Sequence, residues 1–124
     1  MKLTLREIWN ANQAIGKILN FDGLEAKLAY RLSKIGKKFI TELKAIDDVR
    51  SKLVQKYSSK EFPNQVDPKN NKKFNDEFDE LMREEIEMEV EIILYELWKK
   101  VNLTASDLIN LEKFIEPPKD EIKE

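Results

Sequence analysis

Carboxylates are the only plentiful side chains in this chain that could take part in catalysis or hold a metal ion. The sequence has 24 aspartates and glutamates. Helical spacing places some of them on two neighbouring faces: Glu77, Glu80 and Glu84 on one, and Asp76, Asp79 and Arg83 on the other. Oxygen ligands of this kind are those that Mg²⁺ and Ca²⁺ use. A solvated acidic helix face has the same pattern, and we favour that simpler interpretation.

The other residue types that catalysis commonly needs are missing. The chain has no histidine and no cysteine, so it lacks the commonest general base, a thiolate nucleophile and any cysteine-based zinc site. Its three glycines stand far apart, so no glycine-rich phosphate loop is formed. We therefore expect a protein that is not an enzyme, with no catalytic residue, no cofactor and no metal.

A basic edge is the first candidate for an interaction surface. Lys27, Arg31, Lys34 and Lys38 recur at helical spacing, and such an edge is suited to phosphate groups. The pI near 5.4 argues against nucleic acid as the main partner. The acidic segment 76–96 is also available to neutralise this edge. Nucleic-acid binding by the basic helix 24–57 therefore stays a minor alternative.

Three aromatic residues are the second candidate. Trp9, Tyr95 and Trp98 are of the types that anchor protein interfaces when they are exposed. Side chains of this size are also common core residues. Both interpretations stay open from the sequence alone.

The first helix is predicted from its capping residues. Thr4 and Glu7 have the spacing of a capping box, and Leu3 and Ile8 that of a hydrophobic staple. The helix should run to about Asn20. A turn around Gly23 should follow it, because glycine tolerates unusual backbone dihedrals.

The second helix should be the longest, over residues 24–57. Its apolar residues fall on two seams: Leu32, Phe39, Ile46 and Leu53 on one, and Leu28, Ile35 and Val49 on the other. Seams with a seven-residue repeat predict a long antiparallel helical hairpin or a coiled coil. They could face the core of the chain itself, or they could also serve oligomerisation.

The stretch "EEIEMEVEIILYELW" alternates acidic and apolar residues from Glu85 to Ile92. Alternation with period two favours a half-buried strand. We expect a strand within residues 87–95, paired with residues 1–4 in a small β element. A long helix over residues 75–100 is the alternative.

The remaining segments complete a mainly α fold with a small β contribution. Residues 58–73 read as a surface loop, and a third helix follows it. A last helix begins after Thr104 and ends before Pro117. The apolar stripes of these two helices are Phe74, Phe78, Leu81 and Met82 in the third, and Leu108, Leu111, Phe114 and Ile115 in the last. We expect one domain over residues 1–116 and a flexible C-terminal tail over residues 117–124.

The charge distribution is uneven along the chain. Residues 24–60 hold ten lysines and arginines against four acidic residues, whereas residues 76–124 hold sixteen acidic residues against six basic ones. This split predicts charged partners or internal pairing between the two segments. No apolar run approaches the roughly 20 residues of a membrane span, and no secretory signal is evident. We expect an intracellular protein that does not enter a membrane.

Several segments together resemble a family of small uncharacterised proteins encoded by phages and prophages of Gram-positive bacteria. The segments are "LREIWNANQAIGKIL", a basic helix ending in Lys56-Tyr57, "FNDEFDELMREEIEMEVEI", and "LTASDLINLEKFIE" ending in Ile115-Glu116. The resemblance implies a phage gene product in the host cytoplasm or in the virion, and it transfers no functional residue.

These observations favour a phage protein that acts by protein–protein interaction. A structural or assembly component, possibly a homo-oligomer, is the first expectation. A small antagonist of a host or defence protein is the second, and a nucleic-acid accessory protein is the third.

Overall fold

A computed structural model describes residues 1–98 and 101–116 of the chain. The fold is mainly helical with a small β contribution, as the sequence predicts, and this contribution consists of two small sheets rather than one. In chain order its elements are β1 (Lys2–Thr4), α1 (Leu5–Leu19), α2 (Ala26–Lys56), a 3₁₀ turn (Pro68–Asn70), α3 (Asn71–Met82), β2 (Glu85–Glu87), β3 (Ile93–Leu94), α4 (Tyr95–Trp98), α5 (Ala105–Leu111), a second 3₁₀ turn (Glu112–Phe114) and β4 (Ile115–Glu116).

Helix α1 begins with the predicted capping box. The amide of Glu7 donates to the Thr4 hydroxyl at 3.1 Å, and the amide of Thr4 donates to the Glu7 carboxylate at 2.9 Å. Two amides that the helix itself cannot pair are thereby satisfied. The apolar stripe of α1 is buried along its whole length, from Leu5 to Ile18.

The α1–α2 hairpin forms the centre of the molecule. Gly23 occupies the left-handed region (φ 72°) in the connecting turn, where a side chain would add strain. Helix α2 has 31 residues, or about 46 Å at 1.5 Å per residue. The predicted antiparallel hairpin is confirmed.

The apolar seams of α2 are used inside the chain. Six seam residues are buried in its core: Leu28, Leu32, Ile35, Phe39, Ile46 and Leu53. Only Val49 is exposed, at 38%. Most of the seam that the repeat predicts is therefore packed inside this chain, and its use in association stays a prediction.

Helix α3 packs beside the C-terminal half of α2 and beside α1. Phe78 contacts Trp9 edge-to-face, with 6.4 Å between ring centroids. Met82 is buried, as the predicted stripe requires. Helix α3 ends at Met82, so the alternative of one helix over residues 75–100 is wrong.

The N-terminal residues pair with the alternating segment, as predicted. The sheet is antiparallel, and Leu3 lies opposite Ile86. The paired residues are 85–87, so the pairing begins two residues before the predicted range of 87–95 and only Glu87 falls within it. Beyond them, Met88 continues the contact by donating its amide to the Met1 carbonyl at 2.9 Å.

The alternation itself is realised from Glu85 to Glu91. Ile86, Met88 and Val90 pack against the core, and the glutamates between them are exposed. The pattern breaks at Ile92, which is 46% exposed, and Ile93 is fully buried instead. From Tyr95 the chain is helical, so the predicted strand does not extend to that residue.

A second small sheet closes the core at the other end of this segment. β3 pairs in parallel with β4, and Ile93 lies opposite Ile115. Helix α5 has the predicted Thr104 cap, and Phe114 contacts Phe39 edge-to-face at 5.8 Å. Leu108, however, is 48% exposed rather than in the core, because α5 is short and turns this side away from α1. The predicted tail, residues 117–124, lies outside the described residues.

Among the residues described, no helix is both long enough and apolar enough to cross a membrane.

Candidate interaction surface

The predicted basic edge of α2 lies next to the acidic segment of the same chain. Arg31 pairs with Glu91 at 2.8 Å, and Lys38 donates to the backbone carbonyl of Glu89. An extended acidic segment is therefore seated along one side of this helix. The internal pairing that the charge split predicts is present at Arg31–Glu91 and at Lys56–Glu77, whereas Lys38 contacts a backbone oxygen.

The outer side of α2 keeps its positive charge. Lys27 and Lys34 of the predicted edge are exposed, and Lys37 and Lys44 continue the same side of the helix. In the part of the chain that the structure describes, none of these four lysines makes an ion pair. We call Lys27, Lys34, Lys37 and Lys44 the basic stripe.

An acidic row lies on the neighbouring segment. Glu80 and Glu84 lie near the end of α3, and Glu85 and Glu89 follow on the exposed side of the extended segment. Within the described ranges these four side chains make no ion pair. We call Glu80, Glu84, Glu85 and Glu89 the acidic row.

Two exposed apolar side chains are next in sequence to the residues of the Arg31–Glu91 pair. Tyr30 is 64% exposed and Ile92 is 46% exposed. Because Arg31 pairs with Glu91, the residues next to them in sequence, Tyr30 and Ile92, are brought to the same region. The Lys34 ammonium lies 5.5 Å from the centre of the Tyr30 ring, a cation–π distance. The surface thus has an apolar part flanked by opposite charges.

The three aromatic candidates, Trp9, Tyr95 and Trp98, differ in how the structure places them. Trp98 is 3% exposed and belongs to the core, so it is not an interface anchor. Its indole nitrogen finds no hydrogen-bond acceptor among the described residues. Trp9 is half-buried against Phe78, which leaves only part of its ring to a partner. The side chain of Tyr95 lies outside what the structure describes.

A second polar cluster joins the end of α2 to α3. Glu77 accepts hydrogen bonds from Lys56, at 2.7 Å, and from the Tyr57 hydroxyl. These bonds lower the pKa of Glu77, and the bond to Glu77 raises the pKa of Tyr57. Both pKa shifts favour an ionised Glu77 and a protonated Tyr57, which are the forms that this hydrogen bond requires. We therefore interpret the cluster as a contact that holds the start of the 57–70 loop against α3.

Two cavities lie elsewhere among the described residues. One, of about 310 Å³, lies between the α1–α2 turn and Leu97, Val101 and Asn102, and its lining includes Phe21, Leu28 and Glu25. A second, about 200 Å³, lies beside α5. Within residues 1–98 and 101–116, no group of three or more carboxylates is arranged to hold a metal ion.

Sequence reasoning missed the apolar part of the surface. Tyr30 falls on the outer side of α2, opposite the seams, and its helical position could have indicated its exposure. Ile92 gave no such signal, because the alternating pattern places it with the buried set. Leu108 and Ile109 of α5 are likewise more exposed than their stripe predicts, at 48% and 69%.

Comparison with protein-family models, with curated proteins and with solved structures found no match to this chain.

Proposed function

We propose that this chain is a phage or prophage protein that acts by binding protein, as a structural or assembly component. The observation that carries the proposal is the surface around the Arg31–Glu91 pair, where Tyr30 and Ile92 are exposed. Exposed apolar side chains gathered at one place, with charges around them, are typical of protein interfaces.

The charges at this surface support a specific contact more than a strong one. Exposed ion pairs contribute about 0.2–1 kcal/mol each, so the apolar residues must supply much of the affinity. Charged groups then align the partners and reject wrong ones. An assembly protein needs this selectivity, because it must join one partner in one orientation.

Particle composition tests the proposal. Mass spectrometry of purified virions and of assembly intermediates of the encoding phage should detect the chain in fixed proportion to the other particle proteins. A Tyr30→Ala, Ile92→Ala double variant should be depleted from them at least tenfold, whereas the exposed control Gln55→Ala should not.

The alternative is a small antagonist of a host or defence protein. The same surface would then hold a host protein in a complex of fixed stoichiometry, and the chain would be missing from particles. That outcome would refute the assembly role and keep the protein-binding role.

Nucleic-acid binding is the remaining alternative, and the unpaired lysines of the basic stripe favour it. The acidic row beside the stripe opposes it, because phosphates would be repelled there. Fluorescence anisotropy with a labelled DNA duplex at about 150 mM salt should show no binding. Tight, salt-dependent binding would contradict the proposal.

A further inference from the structure

We propose that the partner of the basic stripe is the acidic row of a second copy, in a two-fold symmetric dimer. This inference rests on the proposed protein-binding function and names the partner. Both surfaces are exposed, each has four charges, and within the described residues none of these charges forms an ion pair.

The chain itself shows how α2 accepts an acidic extended segment. Residues 89–91 lie along one side of the helix, held by Arg31 and Lys38. The basic stripe occupies the adjoining outer side of the same helix. A second acidic segment there would repeat the internal contact with lysines that the first segment leaves unpaired.

The positions of the two surfaces explain why a two-fold axis fits. Lys38 donates to the backbone carbonyl of Glu89 and lies one helical turn from Lys34, so one end of the acidic row adjoins the basic stripe. In a two-fold interface, the contact of residue i with residue j is accompanied by the contact of j with i. Two copies facing each other can therefore form both charge contacts at once.

Charge balance favours a second copy over nucleic acid. The whole chain has a formal net charge of −2, and a duplex laid on the stripe would bring its phosphates close to the acidic row. A second copy presents positive charge to the row and negative charge to the stripe.

Sedimentation velocity and light scattering test the dimer. At about 200 µM protein and about 20 mM NaCl, the mass should be twice the 14.6 kDa of the chain. Raising NaCl to about 500 mM should weaken association at least tenfold, since exposed charges are screened within about 4 Å at that ionic strength.

Charge reversal identifies the two surfaces. Lys34→Glu with Lys37→Glu should give a monomer, and so should Glu85→Lys with Glu89→Lys. Mixing these two variants should restore the dimer mass, because each then meets opposite charge at both contacts. Lys52→Glu with Lys60→Glu changes net charge equally on exposed residues and should leave the dimer intact. Circular dichroism checks that every variant is folded.

Three results would overturn the inference. One is a monomer at low salt. Another is association that neither salt nor the stripe and row variants alter, which would refute this contact and leave protein binding standing. The third is failure of the mixed variants to associate. If wild type is monomeric and the Lys34→Glu, Lys37→Glu variant loses binding to a DNA duplex, the stripe belongs to nucleic acid.

Discussion

Single residues in this fold differ sharply in how much of the structure depends on them. Phe39 is fully buried near the centre of α2, where its ring contacts Phe114 from the second 3₁₀ turn. It therefore joins the longest helix to an element that lies far from it in sequence. Most charged residues of α2, in contrast, face solvent.

Phe39→Ala should lower the free energy of unfolding by about 3–5 kcal/mol, as removal of a buried ring does. Urea unfolding followed by circular dichroism measures this change. Ile40→Ala is the matched control, because Ile40 is the next residue and is 45% exposed. An equal loss in both variants would contradict the assignment of Phe39 to the core.

Asp107 should make stability depend on pH. Burial of this carboxyl opposes ionisation, but Lys17 and the Thr104 amide hold its pKa below the usual value. A lowered pKa in the folded state adds stability above the normal aspartate range, and this stability is lost as pH falls through the lowered pKa.

Asp107→Asn should therefore cost about 1 kcal/mol near neutral pH, since it removes the charged contact with Lys17 while an oxygen remains for the cap. At about pH 2 the variant and wild type should be nearly equally stable. Thermal unfolding across this pH range measures the difference. Asp47→Asn, at an exposed position, is the control and should change the free energy of unfolding by less than about 0.5 kcal/mol near neutral pH.

At the scale of elements, the sequence predicts the boundaries and buried faces of the helices more accurately than the pairing of the β segments. Thr4 and Thr104 fix where α1 and α5 begin, because their side chains pair amides within the next turn. The seven-residue repeat of α2 identifies its buried face, because residues seven apart lie on the same side of a helix. The parallel pairing of β3 with β4 could not be predicted, since two-residue strands leave no pattern.

The candidate surface was predictable only in its charged half. Lysine spacing identified Lys27 and Lys34, and the charge split anticipated that part of the basic edge would be neutralised internally. The exposure of Ile92 depends on the alternation of exposed and inward-facing residues ending after Glu91, so that Ile93 is buried instead. That change of direction is imposed by tertiary packing, which no local pattern reports.

Two substitutions in the alternating segment test which of its side chains face the core. Met88→Lys should lower the free energy of unfolding by about 1–3 kcal/mol, because it places an unpaired charge against the core. Glu85→Lys, three residues earlier on the exposed side, should change it by less than about 0.5 kcal/mol. Equal stability of the two variants would show that Met88 does not pack inward.

At the scale of the molecule, one core connects every helix of the hairpin with the residues after it. Buried residues from α1, α2, α3 and α5 belong to a single cluster that also includes Leu3, Ile93 and Phe114. Because these elements share one core, they are expected to form one domain. We expect one cooperative unit over residues 1–116.

Unfolding should accordingly be a single transition. Circular dichroism reports the helices, and tryptophan fluorescence reports Trp9 beside α3 and Trp98 in the core, so their denaturation curves should coincide. Curves with separate midpoints would show that the hairpin and the C-terminal elements unfold independently.

The pairing of the first strand with residues 85–87 bears on how the protein is made. Met1 and Glu87, which this sheet brings together, are 86 positions apart. Residues 2–4 leave the ribosome long before their partners exist, whereas α1 and α2 can pack as soon as both have emerged. Helix pairing therefore comes early in synthesis and sheet closure comes late, because contacts between distant residues form slowly. Until Glu87 is free, a nascent chain carries an incomplete strand that a chaperone can recognise.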